Sequence, residues 1–114
     1  MDADSIRDIF SGFGPVGVRR MFGGYGIYAD DVMFALSTGG ELYLKADSET
    51  RPDFEDEGAE PFSYEAKGRR VVLSYWRAPD RLIDDADEMA IWARKALSAA
   101  ERAARTKPHA KKKA

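Results

Sequence analysis

The chain has 114 residues, a formal net charge of −2, 44% hydrophobic residues and no cysteine. This length allows a single domain with one hydrophobic core, and the hydrophobic content is typical of a folded globule rather than a disordered chain. The lack of cysteine excludes disulfides, thiolate catalysis and cysteine-ligated zinc or iron–sulfur sites.

Charge is distributed unevenly along the chain. Residues 1–98 carry a net charge of −7, whereas residues 99–114 carry +5. The acidic body argues against a broad phosphate-binding surface, because sequence-independent binding of nucleic acid depends on clustered cations. No apolar run approaches the ~20 residues that span a bilayer, and the acidic N-terminus lacks the basic and apolar segments of a secretory signal. We therefore expect a cytoplasmic protein without membrane contact.

A short helix is predicted at the start of the chain. Asp4 is its expected N-cap, and Ile6, Ile9 and Phe10 follow at helical spacing. Residues 12–17 then read Gly-Phe-Gly-Pro-Val-Gly, which matches the G-x-G-x-x-G spacing of dinucleotide-binding loops. Such a loop must follow a strand and open a helix, and here the order is reversed. The glycines and proline therefore predict the end of the helix and a turn, and we expect no bound cofactor.

A three-stranded antiparallel meander is the strongest structural signal. Its strands are joined by Asp30 and Asp31 and by residues 37–40, which suit tight turns. Alternation along the second strand predicts that Val32, Phe34 and Leu36 share one face. An extended segment over residues 16–21 precedes the meander. The predicted meander strands are Tyr25–Ala29, Val32–Leu36 and Leu42–Leu44.

The second half of the chain predicts helix, hairpin and helix. A short helix spans about residues 50–57, with Pro52 in its first turn, and a long amphipathic helix begins near Asp85. Between them, Phe62–Glu65 and Arg70–Tyr75 form a second hairpin. The predicted fold class is α+β, with an antiparallel sheet of about five strands, helices on one face and the order α-β(3-4)-α-β(2)-α. We assign residues 1–105 to this domain and residues 106–114 to a disordered basic tail.

Side chains suited to catalysis are scarce. The sole histidine, His109, lies in the predicted tail, where nothing fixes its geometry. The acidic residues of segment 53–57 lack the spacing of a cation-binding loop, so a solvated helix face is the better interpretation. We predict neither a metal site nor catalytic residues, and hence no enzyme, although carboxylate or serine–lysine chemistry stays open.

Basic residues near aromatic ones form the candidate partner-binding site. They suit an acidic partner or stacking on bases, but charge at a hairpin turn also aids solubility, and a strand-end aromatic often joins the core. Unpaired edge strands also leave a homodimer open. The candidate residues are Arg19, Arg20, Lys67, Arg69, Arg70, Trp76 and Arg77.

Several segments in this order resemble the N-terminal domain of the TfoX/Sxy competence regulators, over about residues 3–105. They are Arg20–Tyr28, Gly40–Lys45, Arg51–Phe54, Pro61–Tyr64 and Ser74–Arg77. The resemblance implies a stand-alone N-terminal domain with a two-layer α+β sandwich similar to that of secretion chaperones. In fuller family members a DNA-binding-like domain follows, and the protein assists the cyclic AMP receptor protein in switching on genes for DNA uptake.

Three functions are therefore compared. The resemblance and the lack of catalytic side chains favour a regulatory, protein-binding domain whose partner is a transcription factor or another protein. The first alternative is direct nucleic-acid binding, weak and non-specific through the tail and helped by the Lys67–Arg70 turn, which would weaken steeply with salt. The second alternative is small-molecule binding or an enzymatic role between the sheet and the long helix.

Overall fold

The structure, a computed structural model, describes residues 1–21 and 23–106. Within these residues the chain forms three α-helices, one 3₁₀ helix and six strands, all in one α+β unit. The elements in chain order are α1 (Ala3–Ile9), β1 (Gly17–Met21), β2 (Gly24–Ala29), β3 (Val32–Thr38), β4 (Glu41–Lys45), α2 (Arg51–Asp56), β5 (Pro61–Ala66), β6 (Arg69–Arg77), the 3₁₀ helix (Asp80–Asp84) and α3 (Ala86–Thr106).

The six strands form one antiparallel sheet in the order β1-β2-β3-β4-β6-β5. Strands β1 to β4 are a meander, and β6 pairs with β4, which leaves β1 and β5 at the edges of the sheet. The predicted order of helices and strands is confirmed. The sheet has six strands instead of about five because the extended segment before the meander pairs with β2 as β1.

Two-residue turns close three of the hairpins. The sequence predicts the first turn over the same two residues, whereas the second is shorter than the predicted segment 37–40, because Ser37 and Thr38 belong to β3. Each turn residue has a positive φ, between 51° and 78°, which is the backbone geometry that matches the right-handed twist of paired strands. Aspartate and glycine adopt it at low cost, whereas the lysine takes it beside a glycine. The turns are Asp30 with Asp31, Gly39 with Gly40, and Lys67 with Gly68.

A β-bulge in β3 decides which side chains face the helices. The register between β2 and β3 shifts between Ile27 and Tyr28, so Phe34 has no partner directly opposite. Phe34 and its neighbour Ala35 are both fully buried, and Leu36 lies on the opposite face. The predicted alternation, which grouped Leu36 with Phe34, is therefore wrong from the bulge onward.

All three α-helices pack on the same face of the sheet. One buried cluster joins Phe10 of α1, Phe54 of α2 and Met89 of α3 to strand residues such as Phe34 and Leu44. Edge-to-face ring contacts add orientation to this apolar packing, with ring centroids of Phe10 and Phe34 5.4 Å apart. The core therefore fills the space between the helices and one face of the sheet.

The start of α3 agrees with the sequence prediction, whereas the N-cap of α1 does not. Asp85 is the cap of α3, since its carboxylate accepts a hydrogen bond from the backbone N–H of Glu88 at 3.0 Å, and the sequence places the start of this helix near the same residue. For α1 the predicted cap Asp4 is wrong, because the helix begins at Ala3 and Asp2 accepts the bond from the N–H of Ser5.

Helix α3 extends to Thr106, and the rest of the predicted tail, with His109, lies outside the described residues. No helix among the described residues is both long and apolar enough to cross a membrane.

Candidate functional site

The face of the sheet opposite the helices carries an apolar groove with a volume of about 530 Å³. We call this surface the open face. Side chains from β1, β3 and the β5–β6 hairpin contribute most of the groove. They include Met21, Met33, Leu36, Phe62, Tyr64 and Leu73.

Aromatic side chains hold the β5–β6 hairpin against the meander on this face. The ring of Phe62 meets that of Tyr43 edge-on, with centroids 5.2 Å apart. From β6, the Tyr75 hydroxyl reaches past β4 and donates a hydrogen bond to the carbonyl of Met33 at 3.3 Å. Burial, with a smaller effect of Tyr28, raises the pKa of Tyr75 to about 12. The phenol is therefore protonated and able to donate throughout the physiological pH range.

The floor of the groove is formed where two methionines converge over a glycine. A Cβ added to Gly26 would lie 2.7 Å from Sδ of Met21 and 3.2 Å from Sδ of Met33. Because Gly26 has no side chain, both thioethers can occupy the space that a Cβ would fill. Methionine is unbranched and adapts its shape to different contacts, which suits a surface that accepts another molecule.

The groove side chains are apolar but not buried. Tyr64 is 46% exposed, and Phe62, Leu36 and Leu73 are half-buried. Contiguous exposed apolar surface on a folded domain is a mark of binding sites, since isolated surface hydrophobes are common but grouped ones are not. The open face is therefore the candidate functional site.

Two of the basic residues that the sequence singled out lie near this face with charge partners. Arg19 covers the ring of Tyr28 at 4.4 Å and lies 3.8 Å from Asp31. Arg77 contacts Glu41 at 2.7 Å, and it also pairs with an aspartate at the start of the 3₁₀ helix. Much of their charge is already compensated within the chain.

The three candidate cations at the β5–β6 hairpin are arranged differently from Arg19 and Arg77. Lys67, Arg69 and Arg70 surround the turn between β5 and β6, are exposed, and form no ion pair with any described residue. They lie at the opposite edge of the sheet from Arg19 and Arg20 of β1. The structure therefore separates the seven candidate residues instead of joining them in one patch.

Trp76 belongs to the other side of the sheet. It pairs with buried Leu44, and its ring lies against the core with its centroid 6.1 Å from that of Phe54. Its packing role is that of a core residue. The apolar lining of the groove was missed by the sequence analysis, although apolar residues at alternate positions in both strands of the second hairpin (Phe62 with Tyr64, Leu73 with Tyr75) were a usable signal.

The ion pairs that shift pKa values lie on the helix side of the domain. Nε of Arg102 is 2.6 Å from Oδ2 of Asp47, and this hydrogen bond lowers the pKa of Asp47 to about 2. Arg81 binds both Glu57 and Glu88 and lowers the pKa of each. Among the described residues, no three His, Asp or Glu side chains are grouped to hold a metal ion.

The fold and the open face define an α+β domain with one covered and one accessible sheet surface. The chain belongs to the TfoX N-terminal domain family, whose model matches residues 8–100. The resemblance seen in the sequence is thereby confirmed.

Two curated relatives match part of the chain. The DNA transformation protein TfoX1 of Aliivibrio fischeri is 38% identical over 58 residues, which is 51% of this chain and 28% of that protein. Protein Sxy of Escherichia coli is 30% identical over 76 residues, which is 67% of this chain and 36% of that protein. The matched region therefore spans about a third of the length of either relative.

Proposed function

We propose that this chain is a non-enzymatic regulatory domain that binds a partner protein through the groove of its open face. The observation that carries the proposal is the groove itself, in which apolar side chains from three parts of the sheet are left uncovered by the helices. Removing such surface from water favours association by about 25 cal/mol per Å² before the costs of binding are subtracted. A protein surface offers the apolar area needed to cover it.

The regulatory part of the proposal comes from the family. One relative is named a DNA transformation protein, and the family resemblance implies action through a transcription factor. We therefore propose that the partner is a protein that takes part in transcription, in competence-type regulation of DNA uptake. The groove gives this role a physical basis that needs no catalytic side chain.

Site-specific photo-crosslinking tests the proposal in cells. A benzophenone amino acid replaces Tyr64 on the open face or, as a matched control, Ile91, an exposed residue on α3 (51% exposed). We expect a crosslinked protein from position 64 that disappears when Leu36→Glu is added, and none from position 91. Circular dichroism and thermal unfolding of both variants show whether the fold is retained.

Two outcomes would count against the proposal. Equal crosslinking from positions 64 and 91 would show that the groove has no preference for a partner. A product that nuclease digestion shortens would support the second candidate, nucleic-acid binding, which is favoured by the three cations at the β5–β6 turn that have no described ion-pair partner.

A further inference from the structure

We infer that the segment bound in the groove is a short peptide that combines apolar anchors with acidic side chains. This inference rests on the proposed function and specifies the chemistry of the partner. It follows from two properties of the open face, the composition of the groove and the position of the positive charge next to it.

The groove has the size and lining for a few apolar side chains. Its volume of about 530 Å³ falls within the range of sites that bury a drug-sized molecule, which is comparable to several peptide side chains. Aliphatic and thioether groups from Leu36, Leu73 and Met33 line the groove together with the rings of Phe62 and Tyr64. This mixture suits leucine, methionine or aromatic anchors, whereas a stacking platform for bases consists mainly of rings and cations.

Positive charge without a partner lies at one end of this groove. Tyr64 and Ala66 are two residues apart on β5 and so share a face, and Ala66 pairs with Arg69. The Arg69 position is therefore on the groove side of the hairpin, next to the turn residue Lys67. Neither forms an ion pair with a described residue.

The other charges near the open face reinforce this polarity. Arg19 and Arg77 are paired with carboxylates, and Arg70 lies across from Glu65 on the opposite face of the hairpin. Lys67 and Arg69 thus place positive charge without a described ion-pair partner at the hairpin end of the groove. A few carboxylates beside the apolar anchors of a peptide complement this positive charge. A polyanion, in contrast, would also be repelled by the acidic body of the domain, which carries −7 over residues 1–98.

Peptide selection followed by a binding measurement tests the inference. Random dodecapeptides displayed on phage are selected against the full chain, and the most enriched peptide is labelled with fluorescein for anisotropy. We expect enriched sequences to hold two or more of Leu, Met, Phe, Tyr and Trp next to two or more Asp or Glu. Leu36→Thr, which removes an apolar wall of the groove, should abolish binding.

Charge reversal with a matched control locates the acidic end of the peptide. Arg69→Glu should weaken binding about tenfold or more, because it replaces attraction by repulsion at close range. Arg94→Glu changes the net charge equally, but Arg94 is an exposed residue of α3, on the side of the sheet opposite the groove. We expect Arg94→Glu to change the affinity by less than about twofold, since a distant exposed charge is screened.

The inference is overturned if the enriched peptides lack acidic residues, if no peptide is enriched, or if Arg69→Glu and Arg94→Glu weaken binding equally. Competition of the peptide by single-stranded DNA at physiological salt would also overturn it in favour of nucleic acid. Because the crosslink from position 64 is measured separately, a protein crosslink without an acidic peptide would preserve the proposed function and remove only this specification.

Discussion

Gly24 shows how a single residue permits the close approach of two strands. A Cβ at this position would lie 3.0 Å from the carbonyl carbon of Ser37 and nearer still to its oxygen, and both atoms belong to the backbone of β3. Backbone atoms cannot rotate away as the end of a side chain can. Gly24 is therefore required at the point where β2 first meets β3.

We expect Gly24→Ala to lower the free energy of unfolding by about 1–3 kcal/mol, because the added methyl group overpacks a rigid contact. Gly17→Ala is the control, since its Cβ would lie 3.8 Å from Cβ of Tyr28, an ordinary contact. The control should change stability by no more than about 0.5 kcal/mol. Urea unfolding of the two variants measures the difference, and equal losses would contradict the argument.

At the residue scale the sequence indicates which kind of local structure forms, but not which residue elsewhere in the chain it contacts. The glycines at 23 and 24 predict a turn or a bulge, yet the need for glycine at 24 depends on Ser37, which lies on another strand. Asp2 and Asp4 are equally good caps by residue type. Which one caps the helix depends on where the helix begins, and nothing local in the sequence fixes that residue.

At the scale of elements, the bulge in β3 assigns neighbouring apolar residues to opposite faces. Phe34 is fully buried against α1, whereas Leu36 is half-buried in the groove. Without the bulge both would contact the helices. The bulge therefore places Leu36 in the groove of the open face, while the ring of Phe34 stays in the core.

Phe34→Ala and Leu36→Ala test this assignment on the same strand. We expect Phe34→Ala to cost about 3–5 kcal/mol, because it leaves a cavity among the rings of Phe10 and Phe13. Leu36→Ala should cost about 1 kcal/mol or less, because its side chain is partly solvated in the folded state. Chemical denaturation gives both values, and similar losses would show that the two side chains share one environment.

The bulge could not be predicted from the sequence, for a physical reason. Residues 32–36 are all apolar, so the residue types mark neither face nor bulge, and the extra residue appears only when β3 is aligned with β2. The hairpins, in contrast, are predictable because their turns are local. Asp30, Asp31 and the glycines at 39 and 40 mark them directly.

At the scale of the whole molecule, one ion pair connects the loop before α2 to the end of α3. Asp47 accepts hydrogen bonds from Arg102 and from the backbone N–H groups of Glu49 and Thr50. These donors favour the charged carboxylate, and the pKa of Asp47 falls from 3.8 to about 2. Its contribution to stability is thus complete above pH 3.8 and is lost as the pH falls toward 2.

We expect Asp47→Asn to lower the free energy of unfolding at pH 7 by roughly 1 kcal/mol, after allowance for solvent screening. The difference from the native chain should shrink between about pH 4 and pH 2, as the native carboxylate takes up a proton. Glu55→Gln is the control, since its contact with Arg51 is exposed and 3.8 Å long. Denaturation at several pH values measures both, and a difference that persists at pH 2 would contradict the linkage.

The overall order of helices and strands was accessible from the sequence, because amphipathic patterns and turns are properties of single segments. The candidate site was accessible only in part. Arg19 and Lys67 were predicted as candidate binding cations, but their separation across the sheet follows from β6 pairing with β4. The groove depends on which face three helices leave uncovered, and that is a property of the complete fold.

The two faces of the sheet are exposed to different selective pressures. Substitutions at helix-side residues such as Phe34 are removed because the chain unfolds, whatever the chain is used for. We expect substitutions at Leu36 or Tyr64 to leave a folded domain, so under the proposed function natural selection removes them through the loss of binding. Under the proposed function, the sequence on one side of this sheet is constrained over generations by folding, and the sequence on the other side by binding.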